Sequence, residues 1–227
     1  MAGPVHAIIV ILVSLFASSV YAGTWRDDFE DGNLDGWEGL DDCWKVENGE
    51  CSGEYFNVPI GSNEIWIGDT KWKDYTVRCR MKFLALSGFV GISFRSTGLI
   101  EDRYGFQINA VYPCQACNNT VWGWKVFQGA GATLSEIPLP FNLSKDIWYD
   151  LKIIVEGDSF KFYIDEKLVN EFVDKSISSG KVGFYVGNEH AHFDDLIVSG
   201  GNVKDGGNWD VEPKGKLATA WGKIKSN

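Results

Sequence analysis

The 227-residue sequence is short of positive charge, of histidine and of helical pattern. Lys and Arg number 21 against 31 Asp and Glu, for a formal net charge of −10. Phosphate recognition needs clustered basic side chains, so no nucleic-acid partner is expected. Of 3 histidines, only His190 and His192 lie beyond the N-terminal segment. The Gly-x-Ser-x-Gly elbow of strand–turn–helix hydrolases is absent. No second C-x-x-C or histidine pair completes a zinc set with Cys114 and Cys117. No segment carries a convincing amphipathic-helix period.

Long apolar runs are confined to the start. Ala7 to Ala17 is almost unbroken, and Val20-Tyr21-Ala22 ends it as a small-residue cleavage site before Gly23. Residues 1–22 therefore read as a secretory signal peptide, although no Lys or Arg precedes the run. The alternative is an uncleaved anchor, but the run is shorter than the roughly 20 residues a spanning helix needs. The mature chain is expected to be secreted, periplasmic or on the cell surface, without a membrane partner. Export permits disulfides among Cys43, Cys51, Cys79, Cys114 and Cys117. Cys79 sits mid-strand on an apolar face and is expected to stay unpaired. Cys114 and Cys117 are expected either to close a short loop or to cross-pair with Cys43 and Cys51.

What the sequence has in quantity is alternation. Tyr75, Val77, Cys79, Met81 and Phe83 share one face, and Thr76, Arg78, Arg80 and Lys82 the other. Tyr149, Leu151, Ile153 and Val155 follow the same rule, as do Phe160, Phe162 and Ile164, then Val182, Phe184 and Val186. Period two over such lengths marks half-buried strands. Asn48-Gly49, Glu156-Gly157-Asp158 and Asp165-Glu166 punctuate them as turns. About a dozen short strands with frequent turns predict an all-β fold, a two-sheet antiparallel sandwich over residues 23–200. Abundant large aromatics suit a sheet-on-sheet core. Residues 201–227, rich in Gly, Lys and Asn, are expected to form a flexible tail.

Several segments carry a family resemblance. They are Trp25-Arg26-Asp27-Asp28-Phe29-Glu30-Asp31-Gly32-Asn33-Leu34-Asp35-Gly36-Trp37, Trp44-Lys45-Val46-Glu47-Asn48-Gly49, Asp74-Tyr75-Thr76-Val77, Gly91-Ile92-Ser93-Phe94-Arg95, Tyr104-Gly105-Phe106-Gln107-Ile108 and Phe193-Asp194-Asp195-Leu196-Ile197-Val198. Together they resemble laminin-G/concanavalin A-like jelly rolls, and more narrowly the bacterial 3-keto-disaccharide hydrolase family. The resemblance implies that the first and last strands pair and that one concave sheet can hold a sugar chain. The chain departs from the hydrolase pattern Tyr-Glu-x-Gln, with Gly105 in place of the carboxylate.

Three chemistries are candidates. Asp31, Asn33 and Asp35-Gly36 match the opening of an oxygen-ligand loop, with Asp42 at the twelfth place, and suggest structural calcium. Another calcium geometry joins Asp28 or Asp31 to Asp194 or Asp195. The alternative to both is a plain turn. A second candidate is a sugar platform, in which flat aromatic faces stack on pyranose C–H faces while amides and Arg hold hydroxyls. Its residues are Trp122 and Trp124, flanking Gly123, with Tyr104, Gln107, Arg95 and Trp66. The alternative is that these are core aromatics. The third is acid–base hydrolysis, which needs two nearby carboxylates. The Glu-x-Asp-x-x-Glu signature of jelly-roll β-glucanases is absent, and Asp150 and Asp165 lie on separate strands. The expected function is binding of an oligo- or polysaccharide. The alternatives are hydrolysis of 3-keto-disaccharides or related glycosides, and a laminin-G-like adhesion or scaffold role.

Overall fold

A computed structural model describes residues 22–39, 41–56, 62–98, 102–111 and 118–208. Fifteen strands and no helix occur among them. In chain order these are β1 (Gly23–Asp27), β2 (Trp44–Glu47), β3 (Glu50–Tyr55), β4 (Asn63–Ile67) and β5 (Tyr75–Phe83). There follow β6 (Phe89–Ser96), β7 (Arg103–Asn109), β8 (Thr120–Phe127), β9 (Ala130–Pro138) and β10 (Trp148–Glu156). The last are β11 (Ser159–Ile164), β12 (Lys167–Val173), β13 (Lys181–Gly187), β14 (Glu189–Gly200) and β15 (Gly206–Asn208). No helix among the described residues is long and apolar enough to cross a membrane.

The strands form two sheets. One has nine strands, in the order β12-β11-β10-β5-β14-β1-β15, with β3 also on β14 and β2 on β3. The other has six, in the order β4-β13-β6-β7-β8-β9. First and last long strands pair as the resemblance implied, with Trp25 opposite Val198 and Asp27 opposite Leu196. All pairs are antiparallel but one. Gly206–Asn208, assigned by composition to the flexible tail, runs parallel to β1, and Asp205 accepts the Thr24 N–H at 2.7 Å. Residues 209–227 lie outside the described residues, as do residues 1–21.

Alternation builds the core. Along β5 the residues are alternately buried and half-buried over all nine positions. The inward rings of the two sheets meet across the core: Phe106 stacks on Phe162 at 5.0 Å and Phe184 on Phe193 at 4.3 Å, and Phe94 packs tilted on Phe160 at 5.1 Å. Such pairs add to the area term that dominates folding. Cys79 is buried as expected, and Cys43, Cys51 and Cys79 all carry free thiols, so the expected cross-pairing is not formed at Cys43 or Cys51. Cys114 and Cys117 lie outside the described residues.

The basic row of β5 is neutralised on the outer face of its sheet. Arg78 meets Glu166 at 3.0 Å, and Lys82 meets Glu50 at 2.7 Å. Arg80 reaches Asp194 and Asp195, each at 2.6 Å, across a bulge in β14.

Candidate functional site

The outer face of the six-stranded sheet collects aromatic and polar side chains. Period two sends Tyr104, Phe106 and Ile108 of β7 inward and Arg103, Gly105, Gln107 and Asn109 outward. Across the strand pair, Gln107 stands opposite Trp122 and Gly105 opposite Trp124. Glu64 and Trp66 come from β4, Phe89 from β6 and Tyr185 from β13.

Rings lie flat over glycines on this face. A Cβ on Gly105 would meet the Trp124 ring at 2.5 Å, and one on Gly187 would meet Phe89 at 2.1 Å. Gly91 likewise lies under Tyr185, with a notional Cβ 2.1 Å from its ring. Glycine strand positions leave room for a neighbouring ring to cover the backbone. This explains the departure noted at Gly105, because Trp124 occupies the space that a side chain there would need.

Hydrogen bonds and charges lock the rings. Trp124 Nε1 donates to the Tyr185 hydroxyl at 2.8 Å, and the Arg103 guanidinium lies 5.3 Å from the Trp124 ring centroid. Arg103 also pairs with Glu64 at 3.0 Å, and Trp66 Nε1 donates to Glu64 at 2.6 Å. Burial raises the Glu64 carboxyl above the ordinary range, against the Arg103 charge and the Ser93 and Trp66 hydrogen bonds that lower it. Gln107 donates to Asn109 at 2.7 Å, and Asn109 donates to Thr120 at 3.1 Å. At the β8–β9 side a groove of about 270 Å³ opens, lined by Phe89, Gln107, Trp122 and Trp124 together with residues 125–126 and 131–133.

The structure brings together Trp122, Trp124 and Gln107. Trp66 shares their face but lies at the opposite edge, only 4% exposed, with Glu38 paired to its backbone and Gly39 against its ring. Tyr104 is not in the groove. It is fully buried between the sheets, and its hydroxyl donates to Asp174 at 2.6 Å and accepts the Ile177 N–H at 3.0 Å. Arg95 is not there either. It adopts a φ of 48° and turns into the end of the core, donating to the carbonyls of Ile177 at 2.9 Å and Gly157 at 2.7 Å.

The side-chain oxygens named for calcium make local contacts. Asp31 accepts the Asn33 N–H at 3.2 Å and Asn33 accepts the Asp35 N–H at 2.8 Å, so the segment is a chain of turns. Asp28 accepts the Glu30 N–H at 3.3 Å, and Asp194 is held by Arg80. Among the described residues, none of Asp28, Asp31, Asp35 and Asp194 belongs to a trio of ligand atoms close enough for one ion.

Glu64, Arg103, Tyr185 and Phe89 were not singled out from sequence. The outward set Arg103-Gly105-Gln107-Asn109 was available from the period of β7. A further carboxylate on this face is Glu136, opposite Trp122. Glu64 and Glu136 lie five strand spacings apart, about 24 Å along the sheet at 4.8 Å each. Paired-carboxylate glycosidases need roughly 5–10 Å.

Comparison with known proteins agrees with this fold. The sequence profile of the 3-keto-alpha-glucoside-1,2-lyase-like domain matches residues 24–199. A levanase from Bacillus subtilis (strain 168) is 26% identical over 170 residues, which is 72% of this chain and 23% of the levanase. The chain thus spans about a quarter of that relative. A carbohydrate-binding module, CBM66 from Bacillus subtilis, superposes with a TM-score of 0.62 at 23% identity, over 75% of this chain and 98% of the module. A Bacillus licheniformis β-glucanase does so with 0.57 at 13% identity, over 81% and 98%.

Proposed function

The chain belongs to the 3-keto-alpha-glucoside-1,2-lyase-like family, and from that premise we propose that it is an exported carbohydrate-binding β-sandwich whose platform is the outer face of the six-stranded sheet. One observation carries this reading. Trp122 and Trp124 stand half-exposed on one strand face beside Gln107, and Trp124 is held in place by Gly105, Tyr185 and Arg103. Pre-positioned rings with a few convergent polar groups are the usual form of a saccharide-sized site. The module superposed above, whose name describes it as carbohydrate-binding, supports the same reading. The test is isothermal titration against levan, mixed-linkage β-glucan and 3-keto-α-glucosides. At least one is expected to bind, and W122A and W124A each to weaken binding tenfold or more, about 1.4 kcal/mol. Absence of binding to all three classes would sink the proposal.

A second reading rests on Glu64. A 3-keto group acidifies the proton at C2, so a 1,2-elimination needs one base there and loss of the oxygen at C1. A carboxyl raised by burial above its ordinary range, beside Arg103, suits such proton transfer. Release of free sugar from a 3-keto-α-glucoside, abolished in E64Q, would favour it over binding alone.

A further inference from the structure

The outer face of the nine-stranded sheet carries a cluster that the sugar platform leaves unused. There β2, β3 and β14 lie side by side, with Glu47 opposite Glu50, and Ser52 opposite both Lys45 and His192. Period two puts Lys45, Glu47, Glu50, Ser52, His190 and His192 on one side of this ribbon. The rings of His190 and His192 have centroids 5.3 Å apart. Ligand atoms of Glu47, His190 and His192 all lie within 4.8 Å of one another.

His192 is the informative residue. It is 7% exposed. Its Nδ1 lies 2.6 Å from Glu50 Oε2, which also accepts Lys82 Nζ at 2.7 Å. A carboxylate only accepts, so the Nδ1 facing Glu50 carries a proton, and Nε2 is the ring nitrogen turned to Glu47. That Nε2 is buried and has no hydrogen-bond partner. Glu47 Oε2 stands 3.6 Å from it, while Lys45 holds Glu47 Oε1 at 2.9 Å. The 3.6 Å separation is too long for a hydrogen bond, so the buried Nε2 is left without one. Two ligands about 2.0–2.1 Å from one tetrahedral zinc are themselves roughly 3.3 Å apart, close to this separation. A carboxylate on the far ring nitrogen is what fixes tautomer and orientation in metal-bound histidines.

We propose that Glu47, His190 and His192 bind one divalent transition-metal ion of the zinc class, with Glu50 orienting His192 from behind. Two imidazoles and one carboxylate suit zinc, cobalt or nickel, whereas calcium and magnesium want oxygen shells. The Ser52 hydroxyl, 3.1 Å from His190 Nε2, is a further oxygen beside the site. The ion ties the β2–β3 hairpin to β14 and is independent of the sugar platform, which lies on the other sheet.

The test uses untagged full-length protein stripped with a chelator. Zinc is titrated calorimetrically, and cobalt is followed by its visible absorption. The expected result is one zinc per chain at micromolar affinity or tighter, a raised Tm and an intense visible cobalt band. Because His192 is buried, the half-exposed ligands carry the mutational arm. H190A and E47Q, checked for native circular dichroism, are expected to weaken zinc at least tenfold. The double variant C114S/C117S removes the rival thiol pair and is expected to leave affinity unchanged. The proposal is overturned if wild type binds no zinc, or if H190A and E47Q bind it as tightly as wild type.

Discussion

Asp27 ends β1 with its carboxyl sealed from solvent, accepting the Phe29 N–H at 2.9 Å and Trp37 Nε1 at 2.9 Å. Burial pushes its pKa up from 3.8 to about 6, against these two hydrogen bonds. The folded state thus holds this proton more tightly than the unfolded chain. The stability it contributes is fully present below pH 3.8 and is lost as pH rises through 6. Between pH 7 and pH 4, urea titrations of wild type and D27N should diverge by roughly 2 to 3 kcal/mol, wild type gaining at the acid end. Gly105 offers a different residue-scale check. G105A drives a methyl into the Trp124 ring, so saccharide affinity should fall at least tenfold while far-ultraviolet circular dichroism stays native. Strand parity was legible at such positions, but parity alone does not say which face is core. Tyr104 and Gln107 are three residues apart and cannot face the same way, yet both are plausible sugar contacts by type. Arg95 escaped the period altogether, because it sits at the end of β6 with a positive φ.

Among the elements, the connection from β5 to β6 depends on one side chain of β14. Glu189 is fully buried and accepts five backbone N–H groups. One oxygen takes Ala85, Leu86 and His190, and the other takes Ser87 and Gly88. An amide in its place turns an acceptor into a donor facing donors. E189Q should therefore cost about 2–4 kcal/mol in urea unfolding and speed hydrogen exchange at Ser87 and Gly88. At the opposite end Arg95 joins three connections through the carbonyls of Lys73, Gly157 and Ile177. One lysine ammonium does not match that planar fork, so R95K should destabilise nearly as much as R95A and leave sugar affinity unchanged. Strands and turns could be read from local pattern because pleat and turn chemistry are local. These two anchors could not, because Arg95 joins residues 22 to 82 positions away and Glu189 joins residues 101 to 104 positions away.

For the whole molecule, β14 is decisive. It lies inside the larger sheet, hydrogen-bonded to β1, β3 and β5, and Phe193 closes on Phe184 of the other sheet. A chain ending before Glu189 should lack near-ultraviolet circular dichroism and be digested rapidly by protease. Pairing of residue 23 with residue 200 makes folding non-local, and refolding should be slow, on the millisecond-to-second scale or longer.

The late arrival of β14 bears on the chain's life before it is folded. Through most of synthesis β1, β3 and β5 lack the strand that joins them, so the larger sheet stays open. A protein that closes its larger sheet only with a strand this late in the sequence needs protection from aggregation until that strand arrives.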